Sequence, residues 1–477
     1  MKIKELYVED YKILKNFTMN FDSQLTVLIG ENGSGKSTII EITAKIFYDL
    51  YSHFVLGKIT KPDVNFKIRY EIEYEALKYE VYIASNRKTK EYYEVNIKKD
   101  NENTNKYSKA QINKDFVNGY KDILPQNVVT YYSGISTILR DRFMRFQKEF
   151  ILSSLDGEVK IEQPFFYFLP DNFSTILIGL LSYQYGDIPD TLQNQFGLSE
   201  FKEIKITIKK PRWAKTKSKA DGVWGAKEDL RIFLQKLSEA CSNEVIKENC
   251  IDFIFTTKEE LEKIWSSYGE EKKLFEYLTT LQANDLIGNI DIILIQNSKE
   301  ISFERLSEGE KQILTVFGLR ELLITGDTLF LLDEPDTYLH PEWQRDFVES
   351  IIDTEDTKTN YIITTHSPNI ISGLNKNQLK IIENIDNKTN IREFSFNPFG
   401  KPVDMILTDY FGLKGLRYKD IDKKIRKLQK MLIEKQFNTQ KFESLFTELE
   451  KKIGNDDIDL LSIKLEKIKR ERANAKD

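Results

Sequence analysis

Four apolar residues fall between Leu25 and Ile29, a polar glycine-rich turn follows, and Ile39 and Ile40 then open a helical pattern. A short apolar run bounded by turn residues predicts a buried strand, so the order is strand, loop, helix. Upstream, Ile3, Leu6 and Val8 suit one strand, and Phe17, Met19 and Phe21 another. From Val64 to about Lys98, Tyr, Ile and Val alternate with polar residues at period two. Within it, residues 66–74 and 79–83 predict antiparallel strands. Asp100 to Lys106 reads as a polar loop, Val128 to Gly134 as a further buried strand ending in a turn, and residues 138–152 as a helix.

Residues 140–295 read as a mainly helical insertion with one strand over 204–209. From Ile292 the strand and helix patterns return, until Asn397-Pro-Phe-Gly-Lys-Pro marks a linker. Beyond Leu413 the chain is a charged helical tail in which Ile421, Ile425, Leu428 and Leu432 recur at helical spacing. That spacing predicts a helical pair, or a tail that docks on a partner or on its own domain. Four parts follow: 1–139, 140–295, 296–396 and 397–477.

Length supports this division, since 477 residues exceed what one core usually holds. A formal net charge of −5 excludes nucleic-acid binding driven by the charge of the whole chain, so any such surface is local. The strongest candidate is Lys202 to Lys219, which is basic around Trp213, with Lys209, Lys210, Arg212 and Trp213 as candidate contacts. The competing reading is a solvated loop anchored by its tryptophan. Cys241 and Cys250 have neither C-x-x-C spacing nor the look of a disulfide framework, which points to a reducing cytoplasm. Met1-Lys-Ile-Lys-Glu-Leu-Tyr lacks the apolar core of a signal peptide, and the most apolar stretch, Ile176 to Leu181, is too short to span a bilayer. No membrane partner is expected, and a fused permease is excluded.

The chemistry begins at Gly30-Glu-Asn-Gly-Ser-Gly-Lys-Ser-Thr38, which fits G-x-x-x-x-G-K-[ST] at full spacing between strand and helix. Successive N–H groups of Gly30, Glu31, Asn32, Gly33, Ser34 and Gly35 would face one concavity, at which the next helix aims its positive end. Lys36 would reach the β- and γ-phosphates of ATP, Ser37 would ligate Mg²⁺, and Thr38 continues the loop into the helix. Thr328 to Asp333 reads as a buried strand that ends in two acids. Asp333 would hold the same Mg²⁺, and Glu334 would polarise the attacking water as general base.

Leu306 to Gln312 opens an apolar helix. Taken alone, Ser307 is an ordinary N-cap with Glu310 as capping-box partner. Placed one helix upstream of Asp333 and Glu334, the segment resembles the signature motif of ABC-type ATPases. The resemblance implies that Ser307, Gly309 and Glu310 cap the γ-phosphate held by a second subunit. Asp336-Thr-Tyr-Leu-His340-Pro resembles the D-loop that bridges two sites across a dimer. His366, at the end of Tyr361-Ile-Ile-Thr-Thr-His, resembles the switch histidine that senses the γ-phosphate. Only three histidines occur, and two of them, His340 and His366, fall on motif positions. The Q-loop glutamine is less evident: Tyr132 and Ser133 stand after the strand, and Gln126 precedes it.

Asp-Glu-Pro-Asp-x-x-Leu-His-Pro at 333–341 and Thr-His-Ser-Pro at 365–368 resemble the SMC and double-strand-break-repair class. They are similar in particular to the overcoming-lysogenisation-defect ATPases and their relatives in bacterial anti-phage systems. Ser-Glu-Gly-Glu differs from the transporters' Ser-Gly-Gly-Gln, so a transporter subunit is not the expectation. Phe399 to Gly412, then Arg417 and the charged tail, are similar to ATPases of the Septu and retron-associated type, as are the Pro-x-Trp and Trp-Gly segments between Pro211 and Gly225. Those families pair with a separate HNH nuclease. Too few residues follow His366 for a Toprim domain plus the tail, and no metal-nuclease spacing occurs elsewhere.

The expected fold is α/β: an ABC/SMC-type P-loop NTPase head with an antiparallel β subdomain, a mainly helical insertion and a C-terminal helical tail. The resemblance implies an ATPase that forms a homodimer or higher homo-oligomer through an ATP sandwich and regulates a separate nuclease or toxin effector in anti-phage defence. The alternative is an SMC-like repair or clamp ATPase that binds DNA and acts without an effector.

Overall fold

The computed structural model describes residues 1–59, 61–100, 103–133, 141, 143–146, 164–211, 213–214, 224–270, 272–324, 326–351, 358–392, 394, 396–413 and 415–474. It divides into two compact units, Met1–Gly400 and Lys401–Asp477. Most of the helix expected over 138–152 lies outside the described residues, as do Arg212 and most of the basic loop after it.

The first unit is built on a seven-stranded sheet. Its order is Lys388–Arg392, Leu379–Ile385, Leu25–Gly30, Thr359–Thr364, Thr328–Asp333, Asn127–Tyr132 and Phe165–Tyr167. Every neighbouring pair is parallel except the first, an antiparallel hairpin. Continuous apolar runs suit these strands because a parallel sheet is covered on both faces. Thr328–Asp333 and Thr359–Thr364 are accordingly buried at every position. In open parallel sheets, ligands bind beyond the carboxyl ends of the strands. Asp333 stands opposite Thr364 on one side and Tyr132 on the other, so the polar strand ends meet there.

A second, six-stranded antiparallel sheet holds Lys2–Tyr11, Leu14–Asn20, Phe66–Tyr74, Leu77–Ser85, Tyr93–Lys99 and Asn105–Lys106. Phe66, Ile68, Tyr70 and Ile72 alternate with exposed or half-buried polar residues, as the sequence pattern requires. These residues share one core with Ile39, Ile42, Ile46 and Phe47 on the buried face of the Lys36–Phe54 helix.

The insertion has more sheet than the single strand expected. It carries helices Phe173–Leu181, Asp187–Phe196, Glu228–Ala240, Lys258–Ser266 and Lys273–Ala283, but also most of a five-stranded antiparallel sheet. That sheet runs Asn243–Ile246, Cys250–Phe255, Leu198–Lys209, Ile287–Gln296 and Lys299–Ser302. Only the second half of the Leu198–Lys209 strand is legible in the sequence. Its first half and its partners alternate apolar residues with Glu, Lys and Asn, which helical faces also do.

The apolar Phe173–Leu181 helix is buried at every position against the Glu308–Leu323 helix. Glycines allow the close crossing: a Cβ on Gly318 would lie 2.3 Å from Ile176, and one on Gly179 would lie 2.8 Å from Leu322. The insertion therefore grips the helix that carries Ser307 and Gly309 at its start. Among the described residues no helix is long and apolar enough to cross a membrane.

The second unit holds Val403–Asp409 and then helices Lys419–Ile433, Gln440–Ile453 and Ile458–Asn474. Ile425, Leu428, Leu432, Phe442, Leu449, Leu460 and Ile463 form its core. The tail thus has one helix more than the expected pair.

Candidate nucleotide site

The glycine-rich loop connects Leu25–Gly30 to the Lys36–Phe54 helix. Gly30, Gly33 and Gly35 take φ values of 150°, 79° and 109°. A Cβ on Gly30 would fall 2.0 Å from the Ile382 carbonyl oxygen, and one on Gly35 would fall 2.6 Å from Thr389 Oγ1. Only glycine satisfies both the backbone and the space at these two positions. Thr389 Oγ1 also donates to Ser34 O at 2.9 Å, so the hairpin strand braces the loop from outside. Lys36 Nζ donates to Gly30 O at 2.9 Å and to Glu31 O at 3.2 Å, which holds its ammonium across the concavity. No side chain caps the N-terminus of the helix, and Ser34 Oγ is buried without a partner. Uncapped N–H groups, a buried hydroxyl and a buried ammonium suit an anion such as a phosphate. Glu31, Asn32 and Gly33 are exposed and Thr38 is half-buried.

The acids arrive from the end of the Thr328–Asp333 strand, which the Thr359–Thr364 strand separates from Leu25–Gly30. Ser37 Oγ donates to Asp333 Oδ1 at 3.1 Å, and Thr364 Oγ1 donates to the same oxygen. Glu334 adopts a φ of 51°, unusual for a residue with a side chain, and its N–H reaches Thr364 O at 3.1 Å and Thr364 Oγ1 at 3.0 Å. His366 Nε2 lies 3.6 Å from Glu334 Oε1. The structure therefore brings Lys36, Ser37, Asp333, Glu334 and His366 together.

Burial dominates the electrostatics here. It pushes Asp333 above the usual carboxylate range, against the pull of the Thr364 and Ser37 hydroxyls. It lowers Lys36, against the attraction of Glu334 and Asp333. It also lowers His366, reinforced by Lys36, so the imidazole is neutral near pH 7. A hydroxyl beside one carboxylate is a hard oxygen set that suits Mg²⁺, which takes one or two protein ligands and completes its shell with water and phosphate. No cluster of three or more His, Cys, Asp or Glu forms among the described residues, so a site made wholly of protein ligands is not offered there.

Ser307 caps the Glu308–Leu323 helix. Its Oγ accepts the Glu310 N–H at 3.2 Å and donates to Glu310 Oε2 at 2.7 Å, while Gln296 Nε2 holds Glu310 Oε1 at 3.0 Å. The capping box is thus present, with Ser307 exposed at the helix start. A Cβ on Gly309 would lie 3.0 Å from Tyr338 O, so this segment packs on the Asp336–His340 turn. Among the described residues no hydrogen bond joins Ser307, Gly309 or Glu310 to the phosphate loop of the same chain.

Asp336 is buried. Thr365 Oγ1 donates to its Oδ2 at 2.8 Å, its Oδ1 has no partner, and burial pushes its carboxyl up to about 6. His340 is exposed, and its Nδ1 accepts the Glu342 N–H at 3.4 Å at the start of the Pro341–Ile351 helix.

Several residues that hold these parts carried no sequence signal. Gln312 Nε2 donates to Tyr131 OH at 3.1 Å, and its Oε1 accepts the Tyr338 N–H at 3.0 Å. Gln344 Nε2 donates to Asp336 O at 3.2 Å, and its Oε1 accepts from Ser367 Oγ at 2.8 Å and Asn369 Nδ2 at 3.0 Å. Thr364 and Thr365 could have been suspected only as neighbours of His366. Gln126, the Q-loop candidate, is misplaced. It precedes Asn127–Tyr132, whose far end meets Asp333, so it lies at the opposite end of the parallel strands from the phosphate loop. Its N–H bonds Asp327 O at 2.7 Å there.

The basic candidates do not join this site. Lys209 forms an ion pair with Asp285 at 2.6 Å, and the Lys210 N–H bonds Asn249 O at 2.8 Å. Trp213 is half-buried, with its indole Nε1 buried and unpartnered.

A parallel sheet, a glycine loop entering a helix, and two acids at the end of another strand of the same sheet define a P-loop NTPase head. Residues 1–371 match the AAA ATPase domain family AAA_15, and the chain belongs to that family. The chain is similar to the retron Vc95 probable ATPase of Vibrio cholerae serotype O1 biovar El Tor, at 24% identity over 438 residues, which cover 84% of this chain and 77% of that protein. It is similar to the retron Ec83 probable ATPase of Escherichia coli, at 23% over 420 residues, or 80% and 72% of the two chains. The Septu protein PtuA of Bacillus thuringiensis is 32% identical over 147 residues, 27% of this chain and 36% of that one. These relatives are of the retron-associated and Septu kinds that the motifs resemble.

Proposed function

We propose that the chain hydrolyses ATP to ADP and phosphate in the cytoplasm, and that its nucleotide-dependent dimerisation regulates a separate effector in anti-phage defence. The observation that carries the ATPase reading is the convergence of Ser37 and Thr364 on Asp333, with Glu334 held by Thr364 and His366 set beside Glu334, next to the loop from Gly30 to Lys36. The loop N–H groups and Lys36 bind the β- and γ-phosphates. Ser37 and Asp333 would hold Mg²⁺, whose charge neutralises the phosphate oxygens. Glu334 orients a water in line with the γ-phosphorus and takes its proton as the new P–O bond forms. The bond to the β-phosphate oxygen breaks, and ADP leaves. His366, neutral and beside Glu334, donates to the γ-phosphate or to the water.

A second copy supplies Ser307, Gly309 and the start of the Glu308–Leu323 helix to the γ-phosphate. This arrangement is supported by the exposure of Ser307 and by its lack of any hydrogen bond to its own phosphate loop among the described residues. The effector reading, with an HNH-type nuclease as the favoured partner, is supported by the similarity to retron and Septu proteins. The clamp reading draws less support, because Lys209 is held by Asp285 and Trp213 presents a buried edge.

The test uses Glu334→Gln and Lys36→Ala. Glu334→Gln is expected to retain ATP and remain dimeric, and Lys36→Ala to lose ATP binding. Normal turnover in Glu334→Gln would remove the assigned base. ATP-dependent capture by Glu334→Gln from its source cells, read by mass spectrometry, tests the effector. A stoichiometric nuclease or toxin chain supports it, and recovery of DNA alone replaces it with the clamp reading.

A further inference from the structure

The last helix of the second unit, Ile458–Asn474, has two apolar faces. Leu460 and Ile463 lie in the unit's own core. Ile458, Leu461, Leu465 and Ile468 lie on the other side and are 80%, 42%, 61% and 37% exposed. Their spacing of three, four and three residues is the a/d seam of a heptad, which lines up one narrow stripe along a helix. A single exposed leucine needs no explanation, but four in register along about 15 Å of a 17-residue helix do. Helix-on-helix packing is the arrangement that buries such a stripe.

The charges beside the stripe decide which helix fits. Lys464 and Lys469 occupy the flanking positions, and Arg472 stands where the seam would continue; all three are exposed, and Lys464 lies 4.0 Å from Glu450. Two acids of this helix are turned elsewhere, Glu466 toward Arg470 and Asp459 toward Arg417, while Glu471 flanks only the end of the seam beside Arg472 and lies 3.6 Å from Lys467. Pairing with a second copy in antiparallel sense brings Lys464 against its own counterpart. Pairing in parallel sense sets Lys464 beside Lys469 and Arg472 against Arg472. Both arrangements place like charges at the seam edge, where they select against a partner.

We propose that the outer face of the Ile458–Asn474 helix is a docking surface for an amphipathic helix of a different polypeptide, one whose apolar seam is bordered by aspartate and glutamate. The surface belongs to the second unit, and its test reads binding rather than turnover, so it stands or fails independently of the ATPase reading.

The probes are two fluorescein-labelled peptides of about 21 residues, three heptads each, with leucine and isoleucine at a and d. One carries glutamate at e and g, the other lysine. Fluorescence anisotropy with the full chain is expected to show saturable binding of the acidic peptide only. The double variant Leu461→Ser, Leu465→Ser removes two apolar side chains from the seam and should weaken binding by about tenfold or more, with helix content by circular dichroism and ATP turnover unchanged. Lys464→Glu with Lys469→Glu should reverse the preference toward the basic peptide. Binding of neither peptide, or equal binding of both, overturns the proposal. So does a dimer without nucleotide in sedimentation velocity that the Leu461→Ser, Leu465→Ser variant abolishes, since that gives the face to a second copy.

Discussion

The Thr364 hydroxyl donates to Asp333 Oδ1 while accepting the Glu334 N–H at 3.0 Å. One side chain thereby orients the carboxylate assigned to Mg²⁺ and fixes the backbone of the assigned base. Valine is nearly isosteric with threonine but can do neither. A hydrogen bond to a charged group contributes about 1.5–3 kcal/mol, so Thr364→Val should lower kcat by about 10- to 100-fold. ATP binding should change little, because among the described residues no hydrogen bond from Thr364 reaches the phosphate loop. Steady-state turnover and an equilibrium ATP titration check this pair of outcomes, and an unchanged kcat would remove the positioning role.

Gln344 ties the D-loop-like turn to the segment after His366 by accepting from Ser367 and Asn369 and donating to Asp336 O. These bonds make the turn and the histidine segment move together. Gln344→Leu should keep the volume but release the tie. At about 1 kcal/mol for each of two or three neutral bonds, kcat should fall by roughly tenfold or more with a small change in KM. A rise in KM at constant kcat would assign Gln344 to nucleotide binding instead.

The phosphate loop, the signature-like segment and the Asp333-Glu334 pair were legible in the sequence because each needs fixed residue types at fixed local spacing. Thr364, Thr389, Gln312 and Gln344 were not legible, since their bonds span the fold and any polar residue reads alike before the chain closes. Gln126 shows the related failure: a glutamine near the right strand stood at its wrong end, and polarity of the sheet decides which end carries chemistry. The Leu198–Lys209 strand was only half legible because pairing with Cys250–Phe255 and Ile287–Gln296, rather than local pattern, makes it twelve residues long.

Asp336 carries a pH prediction whose sign follows from its burial. Its carboxyl is raised from 3.8 to about 6, so the folded chain holds the proton more firmly than the unfolded one. The associated stability is present below about pH 4 and is lost as pH rises toward about 6. A rise of this size corresponds to at most about 3 kcal/mol. Asp336→Asn, which cannot ionise, should therefore melt higher than the native chain at about pH 7.5 and show little gain at about pH 4.5. Thermal unfolding at the two pH values checks this. An equal effect at both would mean that shape, not charge, governs the site.

Glu334 combines a left-handed backbone at φ 51° with a carboxylate near Asp333 and Asp336, both of which it pushes upward. Two costs are superposed at this residue, and two variants separate them. Glu334→Gln removes the charge but keeps the side chain on the same backbone. Glu334→Gly removes the charge and also the steric cost of a Cβ at positive φ, about 1 kcal/mol. Both should abolish turnover, and both should melt above the native chain. Glu334→Gly should exceed Glu334→Gln by a small margin, on the order of 1 °C in a unit of this size. The two N–H contacts to Thr364 hold the backbone in place in either variant. A glycine variant that melts below the glutamine variant would show that the side chain's packing beside His366 outweighs the strain. The conformation would then be a consequence of the site's packing rather than a strain held there by Thr364.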